Sequence, residues 1–193
     1  MLDLLESSFI AYHTTMLFNE TKLKGVFVIE PELIKDERGF FACAWSPEEF
    51  EKQGLNPRLR QCNISFNNLS GTVRGMHFQE KPYEEAKLVR CTRGVMCDVA
   101  VDLRPDSPTR YQWVAAELTA NNHRMLYIPE GFAHGYQTLD DDTEIFYQMS
   151  EKYHPEVARG MRWDDPRLGI DWPLDVAVIS KRDLEFDLIK DGE

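Results

Sequence analysis

The feature that most constrains this chain is a succession of short β-type runs, rich in Val, Ile, Phe and Tyr, that begins at Gly25. Clusters of Gly, Pro, Asn or Asp separate the runs at intervals of roughly 8–12 residues, a spacing typical of sandwiches and barrels. The runs are residues 25–30, 40–45, 59–66, 72–78, 87–92, 95–103, 111–118, 124–129, 135–139 and 144–150. Because no linker interrupts them, they predict one all-β domain.

Helical signals are few and short. Ser46 can cap a helix that starts at Pro47 and continues through Glu49, and Gly54 offers a stop. The charged stretch 179–190 predicts one or two helical turns. The predicted organisation is an N-terminal extension or arm, a single β-domain and a C-terminal tail, which cover residues 1–24, 25–185 and 186–193.

Composition narrows the classes of function. The 193 residues include 22 Lys and Arg against 33 Asp and Glu, a formal charge of −11. This charge argues against a nucleic-acid or anionic-membrane partner, so an anionic ligand needs a local basic pocket. No stretch approaches the roughly 18 uninterrupted apolar residues that suggest a membrane span, and the N-terminus lacks a basic secretion signal. We therefore expect neither membrane insertion nor secretion.

The cysteines predict a reducing compartment. They form no Cys-x-x-Cys pair and lie inside apolar or strand-like runs, which favours small buried thiols over a disulfide framework. The four are Cys43, Cys62, Cys91 and Cys97. We expect a cytoplasmic protein.

The run 95–103 shows the clearest alternation. One face carries Val95, Cys97, Val99, Val101 and Leu103, and the other carries Met96, Asp98, Ala100 and Asp102. In a closed or sandwiched β-fold, one face packs between sheets and the other meets solvent or a barrel lumen. Asp98 and Asp102 are therefore either surface residues or pocket residues, and alternation leaves both interpretations open.

Two of the five histidines stand out as candidates for chemistry. His77 is flanked by Met76 and Phe78, and burial favours the neutral imidazole that a base requires. The alternative is a hydrogen-bonded core histidine. His134 follows a turn with a Pro-x-Gly-x-x-His spacing, which resembles the second short motif of cupins.

Cupins often bind a metal through a His-x-His pair, a Glu and this later His. Here the first motif reads HFQ at residues 77–79, so one imidazole is missing. The sequence also places no carboxylates at ligand spacing around His77 and His134. We predict no catalytic metal, which disfavours a metal-dependent cupin oxygenase.

Seven segments, in order along the chain, resemble the dTDP-4-dehydrorhamnose 3,5-epimerase family. They are DERGFF (36–41), RGMHFQ (74–79), KLVR (87–90), DVAVDLR (98–104), SPT (107–109), IPEGFAHG (128–135) and WP (172–173). The resemblance covers residues 25 to about 185. It implies a cupin-like jelly-roll barrel with a few short peripheral helices, usually a homodimer.

The resemblance also implies an isomerase that needs no cofactor. Its substrate would be a nucleotide sugar of the dTDP-4-dehydro-6-deoxyglucose type, epimerised at carbons 3 and 5 to the dTDP-4-dehydrorhamnose type. A proton next to a ketone is acidic only if the enolate oxygen is stabilised. The site therefore needs a base, a donor or cation at that oxygen, and an acid on the opposite face.

The family pattern assigns these roles to four residues. His77 would be the base, oriented and made more basic by Asp183. Tyr147 would be the opposing acid. Lys87 would stabilise the enolate, while the alternative for Lys87 is a solvated lysine at a strand edge.

Further family positions would bind the substrate. They are Arg38, Phe41, Gln61, Asn63, Arg74, Asp98, His134 and Tyr153. Arg38 and Arg74 suit pyrophosphate oxygens, although both could instead form surface ion pairs. Asp98 would orient His77 or Lys87. His134 would line the pocket or lie directly behind it. Tyr153 would either stack on a nucleobase or pack against the protein.

One spacing conflicts with a regular strand. Arg74 and His77 are three residues apart, so an unbroken strand would place them on opposite faces. Gly75, which lies between them, suggests a bulge that would bring both to one face.

Four positions depart from the family pattern and bear on the substrate. Cys43 replaces a glutamate, Cys62 replaces an aspartate, Glu85 replaces a glutamine, and Ala158 replaces a glutamate. The predicted catalytic set is intact, so we expect activity. The departures leave open a different nucleotide, a different keto sugar or inversion at carbon 3 alone. A non-catalytic cupin that binds sugar nucleotides is the alternative from another class.

Overall fold

The computed structural model describes residues 15–190. In chain order the strands and helices are β1 (Met16–Glu20), β2 (Phe27–Pro31), β3 (Ile34–Asp36), β4 (Gly39–Phe41), α1 (Pro47–Lys52), β5 (Gln61–Asn67), β6 (Thr72–Gln79), β7 (Lys87–Arg93), β8 (Val95–Asp102), β9 (Trp113–Thr119), β10 (Met125–Ile128), β11 (Phe132–Thr138), β12 (Thr143–Met149), β13 (Ala158–Gly160), β14 (Val178–Ile179) and α2 (Lys181–Leu184). Most of the predicted runs coincide with one of these strands.

Two sheets form the domain. The first has the order β1-β2-β10-β7-β12-β5, and the second has the order β13-β6-β11-β8-β9 with β14 added parallel to β6. Strands β3 and β4 form a separate hairpin. The arrangement is the predicted cupin-like jelly-roll barrel, with α1 and α2 as its short helices.

Both predicted helical segments are confirmed. Ser46 caps α1 by accepting a hydrogen bond from the Glu49 backbone N–H, and Pro47 occupies the first turn. Helix α2 lies within the charged stretch 179–190 and is capped in the same way by Ser180. Neither helix is long and apolar enough to cross a bilayer within residues 15–190.

The main core lies between the two sheets. Val89 and Ile145 of the first sheet pack with Met96, Ala100 and other residues of the second. A second apolar cluster covers the opposite face of β8, where residues of 161–189 pack over it. Both faces of β8 are therefore buried, and neither of its aspartates lies at the surface.

The two aspartates of β8 have different surroundings. Asp98 lies on the inner face with Met96 and Ala100. Asp102 anchors the turn that follows the strand and accepts hydrogen bonds from Arg104, Ser107 and Thr109. Burial raises the pKa of Asp102, but these hydrogen bonds lower it further, to about 2. Asp102 is a structural carboxylate of the turn.

The last part of the predicted N-terminal extension or arm, residues 1–24, contains a strand. Met16–Glu20 forms β1, which pairs with β2 at the edge of the first sheet. Met16 and the partly buried Phe18 pack on one apolar cluster, but the exposed Leu17 between them is also apolar, so the sequence shows no apolar–polar alternation. The rest of the predicted extension, residues 1–14, and residues 191–193 of the predicted tail lie outside the described residues.

The prediction of buried thiols was correct for two cysteines. Cys91 and Cys97 are buried free thiols, and burial raises the pKa of each to about 11. Cys43 is partly buried. Cys62 is exposed, contrary to the prediction, because its side chain points outward from the edge strand β5.

Candidate active site

A cavity of about 420 Å³ lies between β5, β7 and β12 of the first sheet and β6, β11 and β13 of the second. Most of the predicted site residues line it, namely Gln61, Asn63, Arg74, His77, Lys87, His134, Tyr147 and Tyr153. A larger, more open cleft of about 1000 Å³ runs along residues 103–109. That cleft contains no imidazole and no phenol, so the smaller cavity is the candidate site.

A distortion in β6 brings Arg74 and His77 to the same cavity. The pairing of β6 with β11 shifts register at this point, and Gly75 has φ +128°, which favours glycine. A Cβ at Gly75 would lie 2.5 Å from the Cα of Gly135, so no side chain fits between the strands. The predicted bulge is confirmed.

His77 and Asp183 form a hydrogen-bonded pair. Asp183 Oδ1 lies 2.7 Å from His77 Nε2, and Oδ2 accepts a hydrogen bond from the Gly75 backbone N–H. Burial raises the pKa of Asp183, but the hydrogen bond and charge of His77, together with hydrogen bonds from Gly75 and Ser180, outweigh this effect and lower it. Because a carboxylate only accepts, Nε2 donates and Nδ1 keeps the lone pair that a base requires.

A second imidazole–carboxylate pair lies on the adjacent strands. His134 is directly opposite His77 in the pairing of β11 with β6, and its Nε2 lies 2.7 Å from Asp98 Oδ1. Asp98 is fully buried, and this burial raises its pKa despite the opposing effects of His134 and Lys87. Asp98 therefore orients His134, whereas the sequence suggested His77 or Lys87.

Lys87 is buried in the wall of the cavity. It begins β7, an interior strand of the first sheet, and its Nζ lies 2.5 Å from Glu85 Oε1. Its side chain is 8% exposed. The alternative of a solvated lysine at a strand edge is therefore wrong, and the ammonium is held inside the site by an ion pair.

Tyr147 faces the same cavity from β12, whereas His77 belongs to the opposite sheet. Burial raises the pKa of the Tyr147 phenol and outweighs the lowering effects of Asn63 and Arg74. The phenol is therefore protonated at neutral pH and can act as an acid. The arrangement presents an imidazole and a phenol, two groups that can transfer protons, to the cavity from different sheets.

The two predicted phosphate-binding arginines differ in position. Arg74 donates hydrogen bonds to Asn67 Oδ1 and to the Phe66 carbonyl within the domain. Arg38 lies on the β3–β4 hairpin with its side chain 82% exposed, and it pairs with Asp36. Neither Arg38 nor Phe41, which is 60% exposed, lines the cavity of its own chain.

The sequence analysis missed several residues that line the cavity. Arg159 of β13 and Arg182 of α2 add positive charge, and Tyr136 of β11 adds a buried phenol whose hydroxyl lies 2.8 Å from Ser65 Oγ. Arg182 could have been found because it directly precedes Asp183. Arg159 lies in turn-rich sequence that gives no comparable signal.

The residues from 15 to 190 contain no group of three or more His, Cys, Asp or Glu side chains that could hold a metal ion. The two imidazoles of the cavity are instead each bonded to a separate carboxylate. The chemistry that these groups can perform is proton transfer at a bound small molecule.

The fold and the site together define a cupin-like jelly-roll enzyme with an acid–base cavity. The family model described as dTDP-4-dehydrorhamnose 3,5-epimerase matches residues 20–191. The chain belongs to this family, which is a family of isomerases.

Individual relatives agree with this assignment. The chain is 44% identical to a dTDP-4-dehydrorhamnose 3,5-epimerase of Methanothermobacter thermautotrophicus, over 91% of this chain and 95% of the relative. It is 38% identical to a dTDP-4-dehydrorhamnose 3-epimerase of Streptomyces niveus, over 88% and 82%. The crystal structure of a Legionella pneumophila dTDP-6-deoxy-D-glucose-3,5-epimerase, in complex with dTDP-4-keto-L-rhamnose, matches with a TM-score of 0.85, 38% identity and coverage of 90% and 93%.

Proposed function

We propose that this protein epimerises carbons 3 and 5 of a dTDP-linked 4-keto-6-deoxy sugar without a cofactor. The observation that supports this most is that His77, paired with Asp183, and the buried phenol of Tyr147 line one cavity from two different sheets. The family and the nucleotide sugar in the Legionella pneumophila structure support the substrate class.

The proposed reaction uses the residues in a defined order. His77 Nδ1 removes the proton from the carbon beside the ketone, and the electron pair of that C–H bond moves to form the enolate. The Lys87 ammonium stabilises the negative oxygen at carbon 4. Tyr147 then donates its proton to the same carbon from the other face, which inverts it. Exchange with solvent restores the proton of Tyr147 and frees His77.

A second candidate is inversion at carbon 3 alone. The relative from Streptomyces niveus is named as a 3-epimerase, and it matches this chain nearly as well as the 3,5-epimerases do. The second candidate also agrees with the departures from the family pattern that bear on the substrate, which are at Cys43, Cys62, Glu85 and Ala158.

Deuterium incorporation distinguishes these functions. The purified protein is incubated with dTDP-4-keto-6-deoxyglucose in heavy water, and the sugar is followed by proton NMR. We expect deuterium at carbons 3 and 5, because each inversion replaces a carbon-bound proton with one exchanged from solvent. Label at carbon 3 alone selects the second candidate. Absence of label at both carbons, also with other nucleotide sugars, contradicts an epimerase.

We also propose that the protein acts as a homodimer. The outer face of edge strand β5 exposes Ile64 by 67% and Phe66 by 43%, and the β3–β4 hairpin exposes Phe40 and Phe41. Exposed apolar side chains on an edge strand and on a hairpin are typical of an interface. A partner's hairpin could supply the Arg38 and Phe41 side chains that the cavity of one chain lacks.

Mixing inactive variants tests this arrangement. We expect Arg38→Ala to lower activity strongly because a phosphate-binding cation is lost from the partner's cavity. A mixture of Arg38→Ala and His77→Ala chains, refolded together, should regain about a quarter of wild-type activity, since half of the dimers would be mixed and each would have one complete site. Sedimentation should give twice the chain mass of 22.5 kDa. A monomer by sedimentation, or a mixture with no regained activity, contradicts the shared site.

A further inference from the structure

The cavity wall contains a buried carboxylate that the proposed reaction does not use. Glu85 lies two residues before Lys87, and both side chains line the cavity. The Glu85 side chain is 4% exposed and its Oε1 contacts the ammonium of Lys87. Its Oε2 is also buried and accepts no hydrogen bond from any described residue. A carboxylate at this depth is costly unless a nearby cation offsets its desolvation.

The ion pair adjoins the proposed acid. Lys87 lies opposite Met149 in the pairing of β7 with β12, and Val89 lies opposite Tyr147. Lys87 and Tyr147 are therefore diagonal neighbours on one face of the sheet, at a Cα separation of about 7–8 Å. The carboxylate of Glu85 thus lies close to two groups that must carry a proton for the reaction to proceed.

We propose that Glu85 is a positioning residue that fixes the Lys87 ammonium at the cavity wall and sets the alkaline limit of the reaction. The proposal rests on the proposed function above. A negative charge stabilises the protonated forms of the acids around it, whether they are ammonium or phenol. After burial, which is the larger cause, the charge of Glu85 also raises the pKa of Tyr147.

Other charged groups face the same space. Arg74, Arg159 and Arg182 line the cavity as cations, and the His77 and His134 imidazoles line it with their carboxylates Asp183 and Asp98 behind them. All of these groups are unchanged when Glu85 alone is substituted. A change in the pH profile on substitution of Glu85 therefore reports the loss of this one charge.

The test compares Glu85→Gln with Glu84→Gln. Glutamine keeps an oxygen that can accept a hydrogen bond from Lys87 but lacks the negative charge. Glu84 is the preceding residue, lines the other cleft and does not line the cavity, so its substitution changes net charge equally. The measurement is kcat/KM for epimerisation between pH 6 and about 11.5, a range that extends above the ordinary pKa of both lysine and tyrosine.

We expect Glu85→Gln to move the alkaline limb of the profile to lower pH by about one unit. Glu84→Gln should leave the limb unchanged, and Glu85→Asp, which retains the charge, should keep the limb even if the rate falls. Glu85→Ala removes the same charge and gives a second measurement if the Gln variant does not fold.

A rate that falls equally at every pH, with an unshifted limb in the Gln or Ala variant, would overturn the proposal and leave Glu85 a structural residue. An equal shift in Glu84→Gln would also overturn it. Failure of the proposed function looks different, because the wild-type protein would then incorporate no deuterium at any pH.

Discussion

Replacing His77 with alanine is expected to lower kcat/KM for epimerisation by about 10³-fold or more and to abolish deuterium exchange at both carbons. The reason is that Asp183 holds His77 Nε2 at 2.7 Å, which leaves Nδ1 as the nitrogen that carries the lone pair. Without His77, the cavity retains His134, whose Nε2 is bonded to Asp98. The measurement is proton NMR of the sugar in heavy water, together with initial rates.

The control is His154→Ala, which removes an imidazole that does not line the cavity and bonds to Glu156. It should change the rate by no more than a few fold. Asp183→Asn should give an intermediate loss, because the imidazole remains but its tautomer is no longer enforced. Exchange that survives in His77→Ala at more than a tenth of the wild-type rate would exclude His77 as the base.

Replacing Tyr147 with phenylalanine is expected to separate proton removal from inversion. Deuterium should still enter the substrate at carbon 3 with the original configuration, since His77 can remove a proton and return a deuteron on the same face. Formation of the inverted product should fall by about 10²-fold or more, because the opposite face has lost its donor. The buried phenol, whose pKa burial raises, is otherwise protonated and ready to donate.

Chiral analysis of the recovered sugar nucleotide checks this result. The control Tyr83→Phe removes a phenol hydroxyl outside the cavity and should leave both rates unchanged. Loss of exchange and inversion in equal proportion would indicate that Tyr147 assists proton removal instead. Undiminished inversion would show that another group donates the proton.

The sequence predicted the barrel well because most strands bury at least one face. Burial requires apolar side chains, and these produce the short apolar runs that predict a strand. Strand β1 shows the limit of this method: Met16 and Phe18 face the core, but the exposed Leu17 between them is apolar, so the sequence shows no alternation. Cys62 on β5 shows another limit, because the outer face of an edge strand can carry apolar residues that an alternating pattern predicts to be buried.

The site was predicted mainly from motifs, and its finer contacts depend on tertiary structure. The bulge at Gly75 was inferred from a spacing of three, and the close approach of Gly135 on the facing strand shows why only glycine fits there. The partner of Asp98 could not be predicted, because it depends on the register of β11 against β8. The ion pair between Lys87 and Glu85 joins residues only two apart in the sequence. Nothing in the sequence, however, shows that both side chains are buried.

The central claim is that one cavity holds a pyranose ring between the His77 imidazole and the Tyr147 phenol. A crystal structure of the inactive His77→Asn variant with a dTDP-linked 6-deoxy sugar tests it most directly. The account predicts the ring in the cavity, with residues 77 and 147 on opposite faces and the oxygen at carbon 4 beside Lys87. A sugar bound in the cleft along residues 103–109, or one with both side chains on the same ring face, would contradict it.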